Sequence, residues 1–266
     1  MAASMSYETR HAAAAESFAI FFPDAEPERT AASLARRLGA LGSMAFDVVG
    51  AMWSRPQLSR RDRSLMIISV LAAQARDEEL IVHTRIGLAH GLVRAEIEEI
   101  LLFIAALAGF PAAMAASRRV DAALKDAEDV ERLEGRTAAK AKSDDERDAD
   151  AARFAFVLAA GEGGAALARL EAASGEAAAT AWRWLLGEIW SREVLADRDK
   201  AIVTLAVHIA LGATDDLPRL ARAALRLGLT RADMDEMTNH LALYAGAPRA
   251  LAAARAIRRA VTAKAP

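Results

Sequence analysis

Apolar residues recur along the chain at helical spacing, and no run alternates with period two over the length of a strand. Ser59-Arg60-Arg61-Asp62 has the form of a capping box, in which Ser59 accepts from the backbone three residues on and Asp62 reciprocates, so a helix is expected from about Arg60. The nearly unbroken apolar run from Leu65 to Ala75 makes that helix a buried one. Asp77-Glu78-Glu79 puts acids at the positive end of a second helix, which runs to Gly91 as its left-handed cap. A third helix is expected from about Arg94 to Ala108, closing at Gly109-Phe110-Pro111, and a fourth from Ala112. In the second half, Thr230-Arg231-Ala232-Asp233 supplies the capping box that Val93 interrupts in the first.

The same pattern occurs twice. At an offset of 137 residues, Trp53-Ser54-Arg55 falls on Trp190-Ser191-Arg192, and Leu58, Arg61 and Asp62 fall on Leu195, Arg198 and Asp199. Without a gap, Gly91-Leu92 then meets Gly228-Leu229, and Ala108-Gly109-Phe110-Pro111 meets Ala245-Gly246-Ala247-Pro248. Roughly a third of the positions between Trp53 and Arg118 are identical to their partners, the mark of a duplication. The expected organisation is a first unit over 1–124, a charged linker over 125–146, and a second, diverged unit over 147–266.

Composition narrows the chemistry. Hydrophobic residues make up 54% and aromatics 5% of the 266 residues, and the abundance of alanine suits close-packed helices better than sheets. A net charge of -2 provides no basic field, so neither nucleic acid nor an anionic membrane is expected as a partner. The absence of cysteine removes disulfides, thiolate metal sites and thiol nucleophiles. The first 30 residues hold one apolar cluster, Phe18 to Phe22, and no run approaches a membrane span, so a soluble cytoplasmic protein is expected.

These residues resemble the carboxymuconolactone decarboxylase family. Its units open with Trp-Ser-Arg-Pro-x-Leu-Ser-x-Arg-x-Arg-Ser-Leu, which here is Trp53-Ser54-Arg55-Pro56-Gln57-Leu58-Ser59-Arg60-Arg61-Asp62-Arg63-Ser64-Leu65. Glu79-Leu80-Ile81-Val82-His83, Gly91-Leu92-Val93-Arg94-Ala95-Glu96-Ile97 and, in the second half, Tyr244-Ala245-Gly246-Ala247-Pro248 follow in the family's order. The resemblance implies an all-α helical bundle of two tandem alkylhydroperoxidase-like units. Related alkylhydroperoxidases depend on a Cys-x-x-Cys-x-x-x-His relay. Setting His83 on that histidine puts Arg76 and Glu79 where the cysteines would be, so dithiol peroxide reduction is excluded and acid and base chemistry remains.

His83 is the first catalytic candidate. Glu79 lies one turn earlier on the same helix face, where a carboxylate orients the imidazole and holds its pKa near neutrality; the alternative is a surface ion pair. Loss of carbon dioxide from a carboxylated butenolide leaves a dienolate, which calls for arginines on the carboxylates and a proton donor for carbon. Arg55, Arg61 and Arg63 are the candidate clamps and His83 the donor, against ordinary salt bridging for each arginine. Trp53 and Trp190 read as core anchors or pocket walls.

Each half lacks what the other has. Leu220 stands opposite His83, while Phe103 and Leu107 stand opposite His240 and Tyr244, which fit the family's His-Leu-x-x-Tyr-Ala-Gly-x-Pro form. Two arrangements follow: one pocket on the first unit with the second kept for packing, or a pocket at a junction that joins His83 with His240 and Tyr244. His83 and His90 lie two helical turns apart, about 10.5 Å, too far to share one ion without a third element, so no metal is expected, and the enzyme implied by the resemblance needs no cofactor. His208, inside an apolar stretch, reads as a satisfied core histidine. The resemblance implies decarboxylation of a carboxymuconolactone-type substrate, with isomerisation of a related unsaturated diacid or a non-catalytic scaffold as alternatives. It also implies a homo-oligomer, expected here as a homotrimer that mimics six units.

Overall fold

The computed structural model describes residues 5–125, 140–158 and 164–262. Among them all regular structure is helical, with no strand. No helix of the described residues is long and apolar enough to cross a membrane. The chain divides into two compact parts, Met1–Arg63 and Ser64–Pro266.

In the N-terminal part, α1 (Tyr7–Phe21) begins at Ser6, whose hydroxyl accepts the Thr9 N–H at 3.2 Å. It is followed by α2 (Pro27–Leu38), α3 (Ala40–Met44), a turn with i to i+5 bonding, π1 (Ala45–Val49), and α4 (Gly50–Trp53). Helix α1 buries Phe18 and Phe21, stacking Phe18 on Phe46 at 4.5 Å and setting Phe21 edge-on to Trp53 at 5.1 Å. The crossing is close because Gly50 has no side chain: a Cβ there would lie 2.8 Å from the Cα of Ala14. His11 ties three of these elements together, with Nδ1 2.6 Å from Asp47 and Nε2 3.1 Å from Glu28.

Helix α5 (Arg60–Ala73) starts where the capping box places it, with the Asp62 N–H bonded to the Ser59 hydroxyl at 3.0 Å. Residues Leu65 to Ile68 are fully buried. The C-terminal part then runs through α6 (Asp77–Ala89), α7 (Arg94–Leu107), α8 (Phe110–Leu124), α9 (Asp144–Ala152), α10 (Ala155–Leu158), α11 (Gly164–Ser174), α12 (Glu176–Thr180), π2 (Ala181–Trp190), α13 (Asp197–Leu211), α14 (Leu217–Arg226), α15 (Arg231–Tyr244) and α16 (Ala247–Thr262). Helix α8 begins two residues before the expected Ala112, because a proline in the first turn has no N–H to lose and enters the helix. Of the charged stretch over 125–146, residues 126–139 lie outside the described residues. Its end is anchored: Ser143 caps α9, and Lys142 donates to Asp150, the Gly187 carbonyl and Ser191 at 2.7–3.0 Å.

The duplication is visible in the backbone. Helices α7 and α15 coincide under the 137-residue offset, π1 falls within π2, and a Cβ on Gly187 would overlap the Arg147 carbonyl as one on Gly50 would crowd Ala14. The C-terminal part mixes the repeats, since α13 packs against α7 of the first repeat as well as α14, α15 and α16 of the second.

Two expectations follow from these comparisons. Ala75 has φ 52° and closes its helix with the bonds made 137 residues later by Gly212, at φ 75°. A left-handed alanine costs about 1 kcal/mol relative to glycine, so Ala75→Gly should stabilise the chain by roughly that amount, measured as a higher urea midpoint at unchanged slope. The carboxylates of Asp47 and Glu28 hold His11 above the usual imidazole pKa. The clamp is therefore complete below the unfolded histidine value and weakens as pH rises through the raised one. Amide exchange in α1, corrected for its intrinsic pH dependence, should show less protection at pH 9 than at pH 6, and His11→Gln should remove that difference.

Candidate active site

Helix α6 carries His83 into the interior of the C-terminal part, with 7% of its surface exposed. Gly87, one turn on, lets α6 lie against α5: a Cβ there would be 2.9 Å from the Cδ1 of Ile68 and 3.7 Å from the Cβ of Ser64. The approach brings His90 to Ser64, whose hydroxyl lies 2.8 Å from its Nδ1. Thr84 is fully buried and returns its hydroxyl to the Leu80 carbonyl at 2.7 Å, leaving the helix no unsatisfied oxygen at that point.

From the other repeat, α15 brings Tyr244 and His240. The rings of His83 and Tyr244 meet edge to face, 5.3 Å between centroids at 79°. His240, fully buried one turn earlier, lies 5.4 Å from Tyr244. The phenol therefore contacts both imidazoles, and these lie no further apart than the two spacings together. Ring contacts thus link His83 with Tyr244 and Tyr244 with His240 within a single chain.

Burial pushes the His83 pKa down to about 4, with the neighbouring His90 adding to the shift. This differs from the expectation of a carboxylate holding the ring near neutrality. Glu79 sits on an exposed turn of α6, and burial dominates. At neutral pH His83 is an uncharged imidazole, not an imidazolium proton donor.

The arginines lie in the N-terminal part. Arg63 is fully buried and donates from Nη2 to the Arg55 carbonyl at 2.8 Å. Its counterpart Lys200 does the equivalent in the second repeat, donating to the Trp190 carbonyl at 2.9 Å. Both cations thus tie the start of a buried helix to the end of the preceding rod. Arg55 and Arg61 are half-buried, and Trp53, 1% exposed against Phe21, is a core anchor.

Sequence analysis missed Glu236, which is 4% exposed and precedes His240 by one turn on α15. The signal was present: its counterpart Glu99 is the same residue at the same place in the first repeat, 2% exposed, with Arg192 Nε on both oxygens at 2.7 and 3.0 Å. Burial raises the Glu99 pKa and Arg192 opposes the rise. Elsewhere the second set of positions is apolar. Phe103 packs against Trp190 at 5.8 Å, and Leu220 is buried where the first repeat has His83. His208 behaves as a structural histidine, its Nδ1 donating to the Thr204 carbonyl at 2.8 Å. Among the described residues no group of three His, Asp or Glu is placed to hold a metal ion.

Comparison with known proteins matches this architecture. The model of the carboxymuconolactone decarboxylase family fits residues 40–122 and again 175–259. A 4-carboxymuconolactone decarboxylase of Acinetobacter baylyi is 40% identical over 77 residues, 29% of this chain and 58% of that protein. The nitrosuccinic acid decarboxylase npaB of Metarhizium robertsii is 36% identical over 67 residues, 25% of this chain and 47% of that protein. The chain thus spans about half the length of the curated relatives it matches. With the family pattern present in both repeats, the chain belongs to the carboxymuconolactone decarboxylase family.

Proposed function

We propose that the protein decarboxylates a small carboxylic acid in which the breaking bond lies next to an electron acceptor, with His83, Tyr244 and His240 as uncharged hydrogen-bonding groups. The observation that carries this is the cluster of two buried imidazoles and a half-buried phenol contributed by both repeats. The names of the two relatives add chemical support, since a lactone and a nitro group each accept the electron pair that carbon dioxide leaves behind.

In such a reaction the C–C bond breaks, carbon dioxide departs, and its bonding pair spreads onto the acceptor oxygen. A neutral N–H or O–H donor aimed at that oxygen stabilises the charge as it forms, and an imidazole of low pKa serves as such an electrophile without becoming a cation. A buried setting helps a second time, because the localised charge of a carboxylate loses more from leaving water than the dispersed charge of the transition state. A proton then reaches carbon from Tyr244 or from water.

The direct test is carbon dioxide release with parallel ultraviolet absorbance over a panel of muconolactones and nitro-substituted diacids. Carbon dioxide in stoichiometric amount supports the proposal. An absorbance change without carbon dioxide would replace it with an isomerase, and inactivity of every member would count against it. His83→Ala and Tyr244→Phe should each lower kcat/KM by about 10²- to 10⁴-fold, and loss of neither would assign the cluster to packing.

His83 also sets a pH dependence. Its folded pKa of about 4 lies below the unfolded value near 6.5, so its stabilising contribution is present above pH 6.5 and is lost as pH falls toward 4, by roughly 3 kcal/mol. The unfolding free energy of the natural chain relative to His83→Gln should therefore decline over that interval and stay level above it.

A further inference from the structure

Away from the histidine cluster, the C-terminal part holds a cavity of about 830 Å³, within the range of small-molecule sites. Leu102 and Ala105 of α7 form one wall, Ala177 and Ala181 with Trp184 form the other, and Phe110 stands beside them. Trp184 is 50% exposed and Phe110 72%, whereas Trp53, Trp182 and Trp190 are each 1% exposed.

Trp184 is exposed without being loose. The Arg147 guanidinium lies 4.4 Å over its ring, and Arg147 is itself fixed by donating to Glu188 at 3.0 Å and to the Lys142 carbonyl at 2.6 Å. Arg147 covers part of the indole without itself lining the cavity, whereas Trp184 lines it. A pinned, half-exposed indole in a cavity whose other wall is Leu102 and Ala105 is a preformed stacking platform, with little side-chain entropy left to lose on binding.

Charge at the cavity edge limits what fits. Arg192, which also lines it, holds both oxygens of Glu99, and Glu188, the acid among the lining residues, holds Arg147. An anion entering here competes with a buried carboxylate for Arg192, and a cation competes with a guanidinium for Glu188. An uncharged ring disturbs neither pair. We propose that this cavity is a second ligand site, which takes a planar, uncharged aromatic molecule stacked on Trp184. The proposal stands independently of the decarboxylase reading, because it rests on residues outside the histidine cluster and its measurement is binding.

The test titrates the full chain with p-cresol and, separately, with benzoate, following the ¹H–¹⁵N signal of the Trp184 indole, which is identified by its loss in Trp184→Phe. A saturable shift of that signal by p-cresol, with the three buried indoles unmoved and benzoate about tenfold weaker or worse, is expected. Ala177→Phe, an exposed position on the wall, should weaken p-cresol about tenfold by filling the cavity, and Trp184→Ala should do the same by calorimetry. The proposal is overturned by the absence of saturation at low-millimolar p-cresol, by benzoate binding as tightly, or by both variants binding like the natural chain. Concentration-dependent self-association that shields the Trp184 indole in the ligand-free protein would likewise overturn it and give the surface to a second copy.

Discussion

The packing of α7 against α13 and π2 is the constraint from which the C-terminal part takes its form. Neither repeat buries its own apolar faces alone. Ile97, Ile100, Phe103 and Ile104 of α7 reach 0% exposure, and α13 and π2 of the second repeat pack against that helix together with α8 of its own. Burial of this kind contributes about 25 cal/mol for each Å² of apolar surface removed from water, and mixing the repeats joins two small cores into a larger one. The compact division therefore falls at Arg63, inside a helix, and not between the repeats. The same mixing brings the end of α15 to the middle of α6, so the contact of Tyr244 with His83 follows from core packing.

The sequence was most legible where one local rule decided the outcome. Helices α7 and α15 begin directly after their caps and end two residues before their glycines, because a capping acid and a positive-φ glycine act over one turn. Glu96 even preserves half of a capping box at Val93, accepting its N–H at 2.9 Å although valine has no acceptor to return. The i to i+5 turns were not legible. They depend on how closely a rod must approach its neighbour, as at Gly50 and Gly187, and no periodicity records that.

The candidate site was legible in composition and not in environment. His83, His240 and Tyr244 could be read from the residues in which the repeats differ, and their meeting was one of two open arrangements. Exposure was beyond reach: a spacing of four puts Glu79 and His83 on one helix face, but that face curves from solvent into the core within a turn, so one side chain stays wet while the other is buried. The arginines carry a similar lesson. Their charge is kept between repeats, yet Arg63 and Lys200 show that a shared cation can be kept to hold a backbone carbonyl.

Where the copies part, they do so in charge at fixed geometry. His11 of the first repeat stands at the offset position of Asp148, and each joins the first helix of its repeat to the rod that contains the i to i+5 turn. In the first the joint is His11 with Asp47; in the second it is Asp148 with Arg183, at 3.0 Å. One joint is an ion pair only while its imidazole holds a proton, which Asp47 and Glu28 favour, and the other is permanent, because a guanidinium stays protonated. The interior shows the same division, with imidazoles and a phenol in one set of positions and Leu220, Phe103 and Leu107 in the other. Identical copies of a single-repeat chain could not differ in this way between the halves of one assembly. Fusion removes that constraint, so one set of positions is free to carry polar groups in the core while the other supplies apolar packing that offsets their burial.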